Sequence, residues 1–298
     1  MTDLYKNCTL CPRSCKVDRT KNKGYCKTTD KLLVTRAALH MWEEPCISGK
    51  NGSGTVFFGG CSMGCIYCQN AEIRDGKAGR EISAERLAEI FFELKDKGAN
   101  NINLVTPTHF VPHIIKALDI AKSQNLNIPI VYNTGGYEKT ETLKMLEGYV
   151  DIYLPDFKYY EKETAKEYSN APGYAEYAKG AVAEMFRQVG KPRFYENGIM
   201  EKGVIVRHLL LPHHLEESKK IVKYLYSAYK DDIFISLMNQ YTPMPQMADH
   251  DILKERVTEK EYDDLVNYAV EIGVENGFIQ EGETAEESFI PSFDNTGV

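Results

Sequence analysis

Three cysteines stand close together in the sequence Cys61-Ser-Met-Gly-Cys65-Ile-Tyr-Cys68, directly after an apolar segment that is typical of a buried strand. A short loop can bring three thiolates around one compact centre, and soft thiolates select iron–sulfur clusters or zinc. A closed tetrahedral zinc site needs a fourth ligand, which Cys46 or a histidine could supply. Three ligands alone would leave one iron of a cluster open to another molecule. The spacing therefore predicts a metal centre and leaves both kinds open.

A second group of thiols lies nearer the start of the chain. Its members are Cys8, Cys11, Cys15 and Cys26. Four soft ligands at this spacing fit a tetrahedral zinc site or an auxiliary iron–sulfur cluster, and either would help to fold a segment too polar to fold alone. The alternative is a set of free thiols on a polar arm. All eight cysteines lie in the first quarter of the 298-residue chain, which is unlike the spread of a disulfide scaffold.

The overall charge and hydropathy exclude several classes of partner. Lys and Arg number 36 and Asp and Glu 43, so the net charge is −7 and there is no basic excess to bind nucleic-acid phosphates. No stretch approaches the ~20 apolar residues of a membrane span, and the N-terminus lacks the apolar core of a signal peptide. Together with cysteines clustered for metal binding, these features predict a cytoplasmic protein with no membrane partner.

Alternating strand and helix patterns follow the first strand. The strands are predicted at Gly54–Phe58, Asn101–Val105, Ile128–Tyr132, Val150–Leu154, Val204–Leu211 and Ile233–Met238. Between them, the spacing of apolar residues predicts amphipathic helices, such as a helix over Ile82–Gly98 with Ser83 as its N-cap. Six such alternations predict an α/β fold with a parallel sheet and helices outside it. In a barrel of this kind, chemistry takes place where the strands end.

Polar residues at the predicted strand ends are candidates for holding a ligand. They are Thr106, Thr108 and His109 after the second strand, Asn133 and Thr134 after the third, Asp156 and Lys158 after the fourth, Arg207 in the fifth and Gln240 after the sixth. Asp156 and Lys158 face the same way if the chain there is extended. A buried Arg207 needs an acid or a ligand carboxylate as partner. Stiff turns, exposed ion pairs and strand-end caps are the structural alternatives.

The Cys61–Cys68 motif, with Tyr67 before its last cysteine, resembles the signature of the radical S-adenosylmethionine (SAM) superfamily. The six alternations resemble its partial (β/α)6 TIM-type barrel over about residues 54–281. Closer similarity is to the pyruvate formate-lyase activating enzyme-like group and its PflX-like branch. It is carried by Cys8–Cys15, His40–Pro45, Gly52–Phe58 and Cys61–Asn70. We therefore expect a small Cys-rich module at 1–50, a radical SAM barrel at 51–281 and an acidic extension at 282–298.

This resemblance implies that the three cysteines of Cys61–Cys68 hold a [4Fe–4S] cluster whose open iron binds SAM. One electron, from a flavodoxin- or ferredoxin-type donor, would cleave SAM to methionine and a 5′-deoxyadenosyl radical that abstracts hydrogen. Tyr67 and the strand-end residues named above would contact SAM, with Arg207 near its carboxylate or ribose. The superfamily's Gly-Gly-Glu-Pro-like loop, whose acid binds the SAM amine, is replaced here by Thr-Pro-Thr-His at 106–109.

The closer similarity implies an activase-like oxidoreductase whose substrate is a protein or peptide, such as a glycyl radical enzyme. A small-molecule or RNA substrate is the alternative within the superfamily. An alternative of another class is a zinc-binding interaction protein that uses both cysteine groups structurally. The two classes differ in an observable way, because only the enzyme would bind iron and form 5′-deoxyadenosine with a reductant.

Overall fold

The computed structural model describes residues 2–280 and 291–298. Its strands are β1 (Leu32–His40), β2 (Ser53–Phe58), β3 (Arg80–Ile82), β4 (Ile102–Val105), β5 (Ile130–Thr134), β6 (Ile152–Pro155), β7 (Arg193–Phe194), β8 (Met200–Leu209), β9 (Phe234–Met238) and β10 (Gly277–Ile279). Its α-helices are α1 (Pro45–Ser48), α2 (Ala71–Arg74), α3 (Ala84–Asp96), α4 (Val111–Ser123), α5 (Thr140–Lys144), α6 (Lys162–Ser169), α7 (Tyr174–Val189), α8 (Leu215–Tyr229) and α9 (Glu259–Glu271). No helix in these ranges is both long and apolar enough to span a membrane.

The strands form one sheet in the order β10–β9–β8–β6–β5–β4–β2–β1–β3, with β7 paired to β8 off this path. All neighbours from β2 to β10 are parallel. β1 is antiparallel to both β2 and β3. The predicted fold class, an α/β partial barrel, is confirmed, and its six predicted strands correspond to β2, β4, β5, β6, β8 and β9.

Helix boundaries follow from local chemistry. The hydroxyl of Ser83 accepts from the N–H of Arg86 at 3.1 Å, so α3 begins at the predicted N-cap, and Gly98 follows the helix with a φ of +89°. The polar segment that follows β6 forms two helices, α6 and α7. Asn170, with a left-handed φ of +47°, ends α6 and turns the chain toward α7.

The ends of the chain depart most from the predicted organisation. β1 lies within the segment expected to form the Cys-rich module, but it pairs with β2 as part of the barrel sheet. Of the predicted extension at 282–298, residues 282–290 lie outside the described ranges. The final residues run along β1, where the N–H of Ala37 donates to the carbonyl of Thr296 at 2.9 Å and Arg36 pairs with Asp294. The division of the chain at residues 50 and 281 stays a prediction.

Two apolar cores hold the barrel. The larger core lies between the outer face of the sheet and the helices. The smaller core lies inside the barrel and includes Ile47, Val131, Ile152, Leu154 and Ile205. Asn101, just before β4, donates to the carbonyl oxygen of Ile47 at 2.8 Å. The short helix α1 therefore fills the interior near the beginning of the strands, and the residues just before it reach toward the strand ends.

Candidate active site

The Cys61–Cys68 loop begins where β2 ends, on the side of the sheet where the parallel strands finish. A Cβ at Gly60 would lie 2.4 Å from the carbonyl oxygen of Cys26, and the φ of Gly60 is +85°, so this position requires glycine. Within the loop, the N–H of Met63 donates to the sulfur of Cys61 at 3.3 Å. The loop is thus wound closely around its own thiols.

Cys65 is the most enclosed of the three thiols. The hydroxyl of Ser169 donates to its sulfur at 3.0 Å, and the hydroxyl of Tyr159 lies 3.8 Å from the same atom. The hydroxyls of Tyr159 and Tyr67 are 2.9 Å apart. Tyr67 is buried and packs edge-on against Tyr241. The structure therefore places Tyr67 in the packed wall beside Cys65, and its predicted contact with SAM stays a prediction.

The protein environment alone favours the protonated thiols of Cys61 and Cys68. Burial, and then the neighbouring thiol of Cys65, raise the pKa of Cys61. Burial and the thiols of Cys65 and Cys61 raise the pKa of Cys68 to about 12. The Lys158 ammonium acts in the opposite direction on both pKa values. Because the thiolate is the metal ligand, a bound metal centre has to displace these protons, and Lys158 is close enough to assist.

Lys158 also begins a chain of charged contacts across the barrel interior. Its Nζ lies 2.6 Å from Oδ2 of Asp156, whose Oδ1 accepts from Nε of Arg207 at 3.0 Å. Nη2 of Arg207 donates to Oδ1 of Asn133 at 2.7 Å, and its Nη1 lies 3.2 Å from Oε2 of Glu43. Four of the predicted ligand-binding residues thus form one network, and Asp156 and Lys158 face the same side as predicted.

Pairing outweighs burial in setting the charges of this network. Burial acts to raise the pKa of Asp156, but the cations of Lys158 and Arg207 hold it below its usual value. Burial acts to lower the pKa of Lys158 and of Arg207, but the Asp156 carboxylate raises both. The three groups are therefore ionised at neutral pH. Removal of one partner from a buried pair typically costs about 3–5 kcal/mol, so the network is held in place by its own charges.

A cavity of about 520 Å³ lies between β10 and the β1–β2 pair, on the open side of the partial barrel. The strands contribute Phe57, Asn133, Arg207 and Met238, the cysteine loop contributes Gln69 and Asn70, and the segment before α1 contributes Trp42, Glu43 and Glu44. Gln240 also lines it, and its carbonyl accepts from the amide of Gln69 at 3.1 Å. The volume is within the range of about 300–1,000 Å³ that is usual for ligand sites.

Glu43 and Glu44 were not among the predicted site residues. Oε1 of Glu43 accepts from the side-chain amides of Asn103 and Asn133, at 3.2 Å each. Oε1 of Glu44 accepts from the hydroxyl of Ser236 at 2.8 Å, and burial raises the pKa of Glu44. Both acids precede the first predicted strand, and only the pairing of β1 with β2 brings them inside the barrel. The sequence carries no periodic signal for such a placement.

Three predicted residues have other protein partners. The hydroxyl of Thr134 donates to the buried carboxyl of Glu138, and Thr108 donates to the same oxygen at 2.5 Å. Nε2 of His109 lies 2.8 Å from the carbonyl oxygen of Gly59, and burial lowers the pKa of His109 to about 3. Strand alternation turns Thr134 away from the barrel interior, and its contact with Glu138 supports the sheet. The contact of His109 with Gly59 supports the start of the cysteine loop. Their SAM contacts stay predictions.

Thr106 follows β4 with a φ of +59°, a conformation that β-branched residues rarely adopt. Its backbone N–H donates to the carbonyl of Asn133 at 2.9 Å, which fixes the turn. No acid follows β4 in the sequence Thr-Pro-Thr-His at 106–109. Asp156 and Glu43 both pair with Arg207 inside the barrel, so the structure offers acids from other elements. The role of Thr106 toward SAM stays a prediction.

The four N-terminal thiols are Cys8, Cys11, Cys15 and Cys26. All four are free, and three are buried while that of Cys15 is half-buried. Their segment packs on the cysteine loop, where the N–H of Cys61 donates to the carbonyl oxygen of Cys26 at 3.3 Å. Within residues 2–280 and 291–298, no three or more His, Cys, Asp or Glu side chains are already arranged around a single ion. The metal role predicted for this group stays a prediction.

The Cys61–Cys68 loop has the donor set that an iron–sulfur cluster requires. It offers three thiols of one loop, with a hydroxyl donor aimed at one sulfur and the Lys158 cation close by to offset the charge of thiolate-bound iron. Beside it, Gly135 leaves space that a Cβ would fill, 3.2 Å from Met63 and 3.6 Å from Lys158. A parallel partial barrel with this loop after its first parallel strand defines an iron–sulfur enzyme.

The chain belongs to the Radical SAM superfamily, whose family model matches residues 55–225. As a member of this superfamily, the chain has a [4Fe–4S] cluster and SAM as its cofactors. Cys61, Cys65 and Cys68 are the residues that would hold the cluster, and the network of Asp156 and Arg207 lies between these thiols and the cavity.

Known proteins similar to this chain include one relative that matches most of its length. An uncharacterized protein of Methanocaldococcus jannaschii is 28% identical over 278 residues, which cover 90% of this chain and 75% of that protein. The 7-carboxy-7-deazaguanine synthase of Bacillus subtilis is 36% identical over 80 residues, 25% of this chain and 33% of that enzyme.

Solved structures share the fold at low sequence identity. Streptococcus suis SuiB bound to the precursor peptide SuiA has a TM-score of 0.51 at 15% identity, over 75% of this chain and 47% of that chain. Methylornithine synthase (PylB) has a TM-score of 0.50 at 14% identity, over 94% of this chain and 74% of that chain. This chain spans about half the length of SuiB.

Proposed function

We propose that the protein abstracts hydrogen from a protein or peptide segment, as an activase-like member of the PflX-like branch would. When bound, the cluster and SAM supply the 5′-deoxyadenosyl radical for this step. The observation that carries the proposal is the position of the cavity. Among the described residues, it lies at the side of the barrel, next to the cysteine loop and between β10 and the β1–β2 pair. A cavity at this edge of the sheet is within reach of a loop of another chain.

The rim of the cavity supports a peptide substrate. Trp42 is 67% exposed and Met41 is 43% exposed, and both line the opening. Large exposed apolar side chains at the edge of a cavity are typical of sites that bind another macromolecule. The structure of SuiB with a precursor peptide shows that this fold can accommodate a peptide in that protein, which agrees with the proposal.

In this proposal the interior network binds SAM. The carboxylates of Asp156 and Glu43 accept from its amine, and Arg207 with Asn133 holds its carboxylate or ribose. Lys158 balances the charge of the thiolates. Gln240 and Gln69 border the adenine side of the cavity. A flavodoxin- or ferredoxin-type donor supplies the electron, and a cytoplasmic location keeps the eight cysteines reduced.

The substrate class can be tested with the full-length protein, reconstituted anaerobically and supplied with SAM and dithionite. Cells are grown in D₂O, and their extract is separated into protein, RNA and small-molecule fractions. We expect deuterium to enter 5′-deoxyadenosine from the protein fraction, because the 5′-deoxyadenosyl radical abstracts a deuterium atom from the substrate and leaves a substrate radical. Transfer only from the RNA or the small-molecule fraction would overturn the peptide proposal.

Two variants test whether the rim of the cavity around Trp42 binds the substrate. Trp42→Ala removes an anchor and is expected to reduce deuterium transfer from the protein fraction by about tenfold, the effect of about 1.4 kcal/mol. Val270→Ala is the matched control, since Val270 is 66% exposed on α9 and away from the cavity. Equal transfer by both variants would show that the rim around Trp42 does not bind the substrate.

A further inference from the structure

We propose that the four N-terminal thiols bind one thiolate-ligated metal centre, and that this centre stabilises the conformation of the loop that carries Cys61. The shared chemistry is a thiophilic metal held by four cysteines, either Zn²⁺ or an iron–sulfur cluster. The inference concerns a second site. It stands independently of the substrate proposal and of the cluster on the Cys61–Cys68 loop.

Three of the four thiols lie next to Arg19 or Gly24. Nη1 of the buried Arg19 lies 3.8 Å from the sulfur of Cys8. A Cβ at Gly24 would lie 3.4 Å from the sulfur of Cys26 and 3.6 Å from that of Cys15. The absence of a side chain at Gly24 therefore leaves space between two of the thiols.

Cys11 belongs to the same neighbourhood. The N–H of Lys16 donates to the carbonyl of Cys8 at 3.0 Å, so residues 8–16 form one closed loop that contains Cys11. Cys11 is thus held on the same short loop as Cys8 and Cys15, with the Arg19 guanidinium beside Cys8 to offset the charge of bound thiolates.

The backbone bends sharply at two of these cysteines. Lys16 and Lys27, which directly follow Cys15 and Cys26, have left-handed φ values of +56° and +66°. This conformation is unfavourable for lysine and persists only where surrounding contacts determine it. A metal bound by Cys15 and Cys26 would supply contacts that stabilise these two turns.

Three contacts join this group to the cysteine loop. The carbonyl of Cys26 accepts from the N–H of Cys61 at 3.3 Å, against the side of Gly60. The guanidinium of Arg13 donates to the carbonyls of Ser62 and Met63, at 2.8 Å each.

Arg13 also donates to the carbonyls of Ser169 and Asn170, at 2.7 and 2.5 Å. It therefore holds Ser169, whose hydroxyl donates to the sulfur of Cys65, against the same loop. Its guanidinium lies 3.9 Å from the centroid of the Tyr25 ring. Arg13 stands between Cys11 and Cys15 in the sequence. A metal bound to these two cysteines would therefore hold Arg13 in place, and Arg13 would in turn hold the cysteine loop through its hydrogen bonds.

The test isolates the second site by removing the first. The full chain with Cys61→Ala, Cys65→Ala and Cys68→Ala cannot hold the cluster of the cysteine loop. We expect this triple variant to retain ~1 Zn²⁺ per chain or, after anaerobic reconstitution with iron and sulfide, the iron of one cluster. Adding Cys11→Ser should abolish this metal, whereas adding Cys46→Ser, at another buried cysteine, should leave it. A triple variant without stoichiometric metal, or one that keeps its metal with Cys11→Ser, would overturn the proposal.

A second measurement covers the case in which Cys11→Ser fails to fold. The triple variant is stripped of metal by a chelator at neutral pH, and hydrogen exchange of the backbone amides at residues 60–63 is followed. We expect exchange there to be at least tenfold faster in the stripped protein and to return to its original rate when Zn²⁺ or the iron–sulfur cluster is restored. Identical exchange rates in the metal-loaded and the stripped protein would contradict the proposal that the metal stabilises the cysteine loop.

Discussion

The hydroxyl of Ser169 donates a hydrogen bond to the sulfur of Cys65 over 3.0 Å. Ser169 is the last residue of α6, more than a hundred positions away in the sequence, and Tyr159 lies 3.8 Å from the same sulfur. Hydrogen bonds to ligand sulfurs stabilise the reduced state of an iron–sulfur cluster, because they offset its added negative charge. The fold thus supplies a group that sets how easily the cofactor accepts its electron.

Replacement of Ser169 by alanine should make the cluster harder to reduce. We expect Ser169→Ala to retain its iron and to shift the reduction potential to a more negative value, since one donor to Cys65 is lost. A redox titration followed by EPR measures this shift. Ser218→Ala, at a buried serine of α8 that contacts His208, is the matched control and should leave the potential unchanged. An unchanged reduction potential in Ser169→Ala would show that Ser169 does not form a hydrogen bond to a ligand of the cluster.

Replacement of Lys158 should weaken SAM binding more than cluster binding. Lys158→Met removes one of the two cations that hold the Asp156 carboxylate in position, so we expect the Kd for SAM to rise by about tenfold or more while iron content stays near that of the wild type. Isothermal titration under anaerobic conditions measures the Kd. Lys260→Met, at an exposed ion pair of α9, serves as control. Equal SAM affinity of Lys158→Met and the wild type would show that the interior network does not bind SAM.

The stability of the apoprotein should fall as the pH falls below about 6.5. Burial lowers the pKa of His208 to about 4, and the ring is held by the carbonyl of Phe157 and the hydroxyl of Ser218. The unfolded chain, with a histidine pKa near 6.5, binds the proton more readily, so this contribution is complete above that pH and is lost toward pH 4.

Urea unfolding at pH 6.5 and pH 5.0 measures the effect. For His208 alone the expected loss is ~2 kcal/mol of the free energy of unfolding. His208→Gln should lose correspondingly less between the two pH values, whereas His213→Gln, at an exposed position, should behave as the wild type. A wild-type protein that is equally stable at both pH values would contradict the neutral, buried state of His208.

The barrel strands and the cysteine loop could be predicted because their signals are local. Apolar runs such as Ile233–Met238 are typical of strands buried on both faces, and Asp156 and Lys158 lie on one side of the chain, as their i, i+2 spacing in extended backbone predicts. The short strand β10 gave no such signal, since it has three residues and is recognised only by its pairing with β9.

Long-range placements could not be predicted. Glu43 and Glu44 enter the barrel because β1 pairs with β2, and the sequence near them shows no pattern that specifies this pairing. Thr108 and Thr134 follow the strand ends as expected, but their hydroxyls meet Glu138 from the next loop. Which face a strand-end side chain occupies depends on the position where the strand begins, and an error of one residue reverses it.

The most direct measurement is the amount of 5′-deoxyadenosine formed from SAM and dithionite by the anaerobically reconstituted protein. The wild type and Cys46→Ala, which lacks a buried cysteine outside both thiol groups, should form it. Cys65→Ala should form none, because two thiolates cannot hold a cluster with one open iron. If the wild type with its full iron content forms no 5′-deoxyadenosine, or if Cys65→Ala forms as much as the wild type, the three thiols of the Cys61–Cys68 loop do not carry the radical chemistry.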